Sequence, residues 1–208
     1  MRVICGVAAV LLAAATPQIA EAQTVDCAVV KCVALTFDDG PAAPTDRLLD
    51  VLTANGADAT FFLIGDKVAA DPAAAARIAA AGMEIGNHTW SHPSLTSVSS
   101  AKVKQELSST NRAIGGATCF RAPYWAVNRA VDRAAGQVGL RYSWLWSVDP
   151  RDWERPGADA IADAVDELWS GSGAMGDVLV FLPGEREIRE AADHLRRHLA
   201  AQAHGRQI

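Results

Sequence analysis

Val33-Ala34-Leu35-Thr36-Phe37-Asp38-Asp39-Gly40-Pro41 is an apolar run that ends in two adjacent carboxylates and a turn. The apolar part, Val33 to Phe37, reads as a short buried strand, and Asp-Gly-Pro is turn chemistry. Neighbouring residues on a strand point to opposite faces. A bend at Gly40-Pro41 would bring both carboxylates to one cleft, where one binds a cation while the other takes a proton from water. Taken alone, the segment is equally a solvated turn.

Outward from this stretch, strands and helices alternate. Thr45 is placed to cap a helix carrying Leu48, Leu49 and Leu52 and stopped by Gly56. Ala59–Ile64 reads as a buried strand, and Asp71-Pro72 opens an alanine-rich helix that Gly82 closes. Met83–Gly86 is a short strand. Ser99 or Ser100 starts a helix with Val103, Leu107 and Ile114 inward. A strand at Thr118–Arg121, a helix near Arg129–Gln137 and a strand at Leu140–Trp146 follow. Ala158–Trp169 is helical, Asp177–Leu182 is an apolar strand, and Glu185–Ala200 is a last helix. Repeated strand–helix units predict an α/β fold on a parallel sheet, with no internal repeat or linker. Asp38, Asp39, His88, His92, Arg121, Asp149 and Asp152 all follow strands, where a barrel or open parallel sheet places its active site.

The 208 residues suffice for one domain with a sizeable core, and the formal net charge of -5 argues against a nucleic-acid partner. Arg2, the apolar run Val3–Ala15 and the small-x-small site Ala20-Glu21-Ala22 read as a signal peptide over 1–22. The run is short for a membrane anchor, so a secreted or cell-envelope protein starting at Gln23 is expected. Of the four cysteines, Cys5 lies in this leader and Cys27 and Cys32 are expected to pair, leaving Cys119 as a small apolar residue.

His88-Thr89-Trp90-Ser91-His92 places two imidazoles four residues apart. They meet on one side of a helical turn or converge in a loop, and Pro93 argues against a long helix. With Asp38 and Asp39 they make the ligand set and base of a metal-assisted hydrolase. Arg121-Ala122-Pro123-Tyr124-Trp125 offers a cation to fix a carboxylate and aromatics that suit a sugar ring. Asp149-Pro150-Arg151-Asp152-Trp153 repeats that mixture. Core packing accounts for some of the six tryptophans at least as well as binding does.

In this order the segments resemble the polysaccharide deacetylases of the NodB homology group, carbohydrate esterase family 4. The resemblance runs from about Val33 to about Ile161 and includes Thr-Phe-Asp-Asp-Gly-Pro at 36–41, Ala-Thr-Phe-Phe at 59–62 and Glu-Ile-Gly-Asn-His-Thr-Trp-Ser-His-Pro at 84–93. Arg-Ala-Pro-Tyr-Trp at 121–125 and Asp-Pro-Arg-Asp-Trp at 149–153 complete it. The resemblance implies a distorted (β/α)7-type barrel. It implies that Asp39, His88 and His92 hold one divalent metal, with zinc expected and cobalt, nickel or manganese as competitors. It further implies Asp38 as general base, Arg121 as its orienting partner, the Tyr124 N–H as an oxyanion donor and Trp153 in the acetyl pocket. Tyr124, Trp125 and Trp153 are the expected substrate-binding residues. Asp152 would tune an acid histidine.

That histidine belongs to a Leu-Leu-His-Asp-like strand end, where this chain has Leu182 and Pro183. His194, His198 and His204 lie on or beyond the last predicted helix. Residues 176–199 also resemble a strand–helix segment of DEAH-box RNA helicases, but the Gly-Lys-Ser/Thr loop and the Asp-Glu-Ala-His box are missing, so helicase activity is excluded. The expected organisation is a signal peptide, a deacetylase domain over 23–175, and a tail over 176–208 that can complete the barrel. The expected function is a secreted, monomeric, metal-dependent hydrolase acting on an acetylated polysaccharide: chitin, peptidoglycan or acetylxylan. The alternatives are a catalytically impaired glycan-binding module or a fusion product.

Overall fold

The computed structural model describes residues 33–146, 148–154, 157, 159, 163 and 176–181. Six strands form one parallel sheet: β1 (Val33–Gly40), β2 (Ala59–Leu63), β3 (Glu84–Asn87), β4 (Cys119–Phe120), β5 (Tyr142–Ser143) and β6 (Gly176–Phe181), in the order β5-β4-β3-β2-β1-β6. Helices α1 (Thr45–Ala54), α2 (Gly65–Ala70), α3 (Pro72–Ala80), α4 (Ser100–Ala113) and α5 (Arg129–Gln137) fill the crossovers. The predicted α/β fold and parallel sheet are present, and among the described residues the sheet is open rather than closed.

Alternation along the central strands sorts the residues into two jobs. Phe37 on β1 and Phe61 and Leu63 on β2 join Leu48, Leu49 and Leu52 of α1 and Ile78 of α3 in one apolar cluster. The residues between them, Thr36, Asp38 and Phe62, are equally buried and meet Arg121. A period of two therefore separates a packing face from a chemical face. Gly86 makes room for this: a Cβ there would lie 2.4 Å from the Phe62 ring. A second cluster joins α4 and α5 through Val103, Leu107, Val131 and Ala134 to Phe120 of β4. Truncating a wholly buried phenylalanine such as Phe61 costs about 3–5 kcal/mol.

Helix starts follow local chemistry. Asp71 accepts from the Ala74 N–H, Ser99 from the Lys102 N–H, and Asn128 from the Ala130 and Val131 N–H groups. Thr45 departs from its expected role. Pro44 is the N-cap of α1, and the Thr45 hydroxyl instead accepts from the Ala42 N–H at 2.9 Å, fixing the turn before the helix. The short helix α2 lacks a length-defining apolar period and was not foreseen. β1 runs to Gly40, beyond the expected Phe37, while β4 and β5 are shorter than the apolar runs that suggested them. No described helix is long and apolar enough to cross a membrane. The expected Cys27–Cys32 pair, the leader, the last helix, and Leu182 and Pro183 lie outside the described residues. Cys119 is a free, partly buried thiol, pushed up by burial.

Candidate active site

The C-terminal ends of β1, β3 and β4 meet at one cleft. The pairing of β1 with β2 shifts register between Phe37 and Gly40, and Asp39 takes a φ of 66°. That irregularity turns both carboxylates into the same cleft, of about 490 Å³, with His88, His92, Tyr124, Trp125, Trp146, Asp149 and Trp153. Lys67 of α2 reaches across to donate to the Asp39 main-chain carbonyl at 2.8 Å.

The two histidines converge in a loop, not on a helix. Asn87 starts it: its side-chain oxygen accepts from the Thr89 N–H at 2.9 Å, and its amide donates to the Leu107 carbonyl and to Asn111. Glu106 of α4, 1% exposed, accepts from the Trp90 N–H, the Ser91 N–H and the Ser91 hydroxyl at 2.9, 2.8 and 3.0 Å. Lys102 neutralises it at 2.8 Å. The Thr89 hydroxyl accepts from the His92 N–H at 3.1 Å. These bonds hold the left-handed backbone of Thr89 and His92, at φ 67° and 58°.

One ligand atom each from Asp39, His88 and His92 lies within 4.8 Å of the other two. The Asp39 Oδ1 is 3.3 Å from His88 Nε2 and 3.2 Å from His92 Nε2. His88 Nδ1 donates to the Arg121 main-chain carbonyl at 2.7 Å, which leaves the Nε2 lone pair facing the carboxylate. Buried His88 Nε2 and Asp39 Oδ1 have no hydrogen-bond partner in the described structure. Lone pairs turned on one another at this range fit a cation between them, and His₂Asp is a zinc-type donor set. His92 Nδ1 lies 3.2 Å from the Tyr124 hydroxyl.

Asp38, 1% exposed, sits beside this trio. Arg121, equally buried, donates to its Oδ1 at 2.8 Å and to the Thr36 hydroxyl at 3.0 Å. The other oxygen, Oδ2, is 3.9 Å from His88 Nε2. Burial pushes the Asp38 carboxyl up and outweighs His88 and Arg121, which pull it down. For Asp39 burial also pushes up, but the His88 and His92 imidazoles beside it outweigh burial and hold it far below the ordinary range. For His88 burial pushes down, while Asp38 and Asp39 outweigh it and raise the imidazole. Both carboxylates are thus poised differently within one cleft.

Asp152 is buried in a short turn at 152–154, while Trp153 is half exposed and lines the cleft. Asp149 accepts from the Arg151 N–H at 2.9 Å, closing the turn that carries them. All nine residues singled out from the sequence are described; Asp38, Asp39, His88, His92, Tyr124, Trp125 and Trp153 line the cleft, with Arg121 bonded to Asp38 and Asp152 in the turn beside it. Sequence reasoning missed Glu106 and Lys67, and left Trp146 open between core packing and binding. Glu106 left a trace: it falls on the inward stripe Val103, Leu107, Thr110 of α4, where a lone carboxylate must have partners.

Residues 26–143 match the family model described as polysaccharide deacetylase. The chain is 44% identical over 137 residues to a chitooligosaccharide deacetylase of Rhizobium leguminosarum bv. trifolii, covering 63% of each protein. Among solved structures it is similar to a family 4 carbohydrate esterase from Streptomyces lividans in complex with acetate, with a TM-score of 0.74 and 33% identity over 83% of this chain and 90% of that one. It is also similar to a pseudoenzyme of that family from Bacillus anthracis, with a TM-score of 0.70 and 26% identity over 82% of this chain and 61% of the other. The parallel sheet, the strand-end cleft and these matches agree, and the chain belongs to the polysaccharide deacetylase family.

Proposed function

We propose that the protein is a metal-dependent glycan deacetylase, exported by its N-terminal segment, that hydrolyses acetyl groups on an N-acetylglucosamine polymer. The observation that carries the reading is the convergence of Asp39, His88 and His92 beside a separate buried carboxylate, Asp38. The rhizobial chitooligosaccharide deacetylase supports the substrate class.

A divalent cation held by Asp39, His88 and His92 supplies Lewis acidity, making water a nucleophile at neutral pH and polarising the acetyl carbonyl. Asp38 accepts the proton lost by the attacking water. Arg121, which also donates to the Thr36 hydroxyl, fixes one of the Asp38 oxygens and leaves the other turned toward the centre. The main-chain N–H of Tyr124 serves the developing oxyanion. Trp153 lines the cleft, and Asp152 is buried in the same short turn. As carbonyl carbon and leaving atom part, the leaving nitrogen must gain a proton. β6 pairs in parallel with β1 so that Phe181 lies opposite Asp38. The next residue in sequence is Leu182, which has no proton to give. Acetyl esters, whose alkoxide leaves more readily, are therefore better substrates than acetamides.

Acetate release from an aryl acetate and from tri-N-acetylchitotriose, with zinc and then with a chelator, tests the reading. Chelator-sensitive release, faster on the ester, is expected; release unaffected by exhaustive chelation would refute metal dependence. Leu182→His should raise the amide rate, since a missing general acid forfeits about 10²–10⁴-fold. The likeness to a family pseudoenzyme and the Leu182-Pro183 pair favour one second reading, a metal-binding glycan module without turnover. Stoichiometric zinc with no acetate from either substrate would select it.

A further inference from the structure

Arg121 carries its charge into the core, and its hydrogen bonds all lie along one edge. Nη1 donates to Asp38 and to the Thr36 hydroxyl, and Nη2 donates to the Leu145 carbonyl at 3.1 Å. Nε, buried like the rest of the side chain, has no hydrogen-bond partner in the described structure. A planar cation held along one edge can still rock out of the plane of its bonds, and only contacts on its faces resist that. The guanidinium lies over the Phe62 ring of β2, 4.3 Å from its centroid, and over the Trp146 ring at 5.7 Å. Both fall within the roughly 6 Å over which an aromatic face attracts a cation, an attraction that grows where water is excluded.

The two rings are there for different reasons. Phe62 is wholly buried in the space that Gly86 leaves, and core packing accounts for it. Trp146 is partly exposed and joins neither described apolar cluster. It belongs to the segment that leaves β5, and that segment grips Arg121 twice, through the Leu145 carbonyl and through the indole. The segment is itself tied down: the Trp144 N–H donates to the Phe120 carbonyl of β4 at 2.8 Å. On its other contact the Trp146 ring packs against Trp125, with centroids 5.0 Å apart.

We propose that Trp146 is a positioning residue: its ring, with the Leu145 carbonyl, clamps the Arg121 guanidinium so that Asp38 keeps one oxygen bonded and the other turned toward the metal centre. Its consequence for turnover rests on the deacetylase reading; the clamp itself does not. Two measurements test it. The first is kcat and KM of the zinc-loaded protein on an aryl acetate, for wild type, Trp146→Leu and Trp146→Phe, each also in an Arg121→Met background. Trp146→Leu should lower kcat about tenfold, a loss within the range for a desolvated cation–π contact, with KM and zinc content unchanged. Trp146→Phe keeps an aromatic face and should retain most of the rate. In the Arg121→Met background Trp146→Leu should cost nothing further, because residues that act through one another are not additive. The second measurement is hydrogen exchange at the Arg121 Nε–H, followed by NMR and assigned by its loss in Arg121→Met. It should be about tenfold faster in Trp146→Leu, since local opening governs exchange, and near the wild-type rate in Trp146→Phe. Equal kcat losses in both backgrounds, a change confined to KM, or unchanged exchange would overturn the clamp. If Trp146→Leu does not melt cooperatively, Trp146→Met carries the same comparisons. A wild type that releases no acetate would remove the deacetylase reading, and exchange alone then decides the clamp; a wild type that turns over, with exchange indifferent to Trp146→Leu, would keep that reading and remove the clamp.

Discussion

Two loops leave adjacent strands of the sheet, β3 and β4, and both hold side chains at the same cleft on left-handed backbone. They do so by opposite means. The histidine loop, 88–92, is secured by buried hydrogen bonds from Asn87 and Glu106, and its ligand atoms are mostly sheltered. The aromatic loop, 121–125, buries Arg121 but leaves Tyr124 and Trp125 exposed, at 72% and 51%. A cation needs ligand atoms fixed within tenths of an ångström, so the first loop invests in hydrogen bonds. The second loop keeps positive φ at Tyr124 and Trp125 without burying either ring.

Both loops serve Asp38, and the largest effect falls there. Arg121 from one loop fixes its Oδ1, and His88 from the other faces its Oδ2. Asp38→Asn keeps the shape and removes the base, so kcat for acetate release should fall by about 10²–10⁴. Zinc content, measured alongside, should stay stoichiometric. A variant that loses its metal in step with its rate would make Asp38 a ligand instead.

Next comes the anchor of the histidine loop. Glu106→Ala strips the partner from two main-chain N–H groups and the Ser91 hydroxyl. Stability should fall by about 2–4 kcal/mol, since each stranded buried donor costs about 1–3 kcal/mol and relaxation toward water recovers part of the total. Zinc affinity should fall about 10–100-fold, the scale for groups that orient metal ligands. Competition with a chromophoric chelator reads the second effect and thermal unfolding the first. The melting temperature then moves down for Glu106→Ala and not for Trp125→Gly, because glycine adopts the φ of 55° at that position without strain, so one measurement separates a loop held by bonds from a loop held under strain.

Acid should find the same anchor. Burial would raise the Glu106 carboxyl, but Lys102 and the Ser91 groups outweigh it and hold it below its ordinary 4.5. A depressed carboxyl contributes stability that is complete above the unfolded value and is lost as pH falls through the folded one. In chelator-treated protein, the stability difference between wild type and Glu106→Gln should shrink as pH drops below 4.5. A difference that stays constant through that range would mean the glutamate acts by shape alone.

How much of this was legible in the sequence depended on the range of the interaction. The start of α4 could be read because its signal, Ser99, lies within a few residues of what it caps. The parallel sheet followed from alternating segments. Asp38, Asp39, His88 and His92 were legible as chemistry, yet only the register shift after Phe37 explains how adjacent carboxylates share a cleft. Glu106 escaped, and the role of Trp146 stayed open, because their partners come from other elements: Glu106 meets Trp90 and Ser91, and Trp146 meets Trp125. Local spacing carries no record of such contacts. Thr45 misled because its hydroxyl turned backward to Ala42, a choice set by the turn rather than by the helix it precedes.

The smallest effect should come from Lys67, which belongs to neither loop. Its ammonium is exposed and donates to the carbonyl of Asp39, a residue already held in place by the bend of β1 and flanked by two imidazoles. The bond ties the start of α2 to the strained peptide that aims the third ligand. Exposed hydrogen bonds are worth little because water replaces them, so Lys67→Met should weaken zinc binding by no more than about tenfold, or about 1.4 kcal/mol. Removing a cation 28 residues away in sequence but next to the centre also relieves repulsion with an incoming metal ion, which opposes the loss. Salt separates the two contributions: the repulsive one fades as ionic strength rises, whereas the hydrogen bond does not. Zinc affinity of Lys67→Met relative to wild type should therefore decline from low to high salt. If the ratio is flat, Lys67 acts only through the Asp39 carbonyl; if the variant binds zinc as weakly as Glu106→Ala at every salt concentration, the bend at Asp39 depends on this lysine, and the division between rigid ligand loop and exposed aromatic loop must extend to the end of β1.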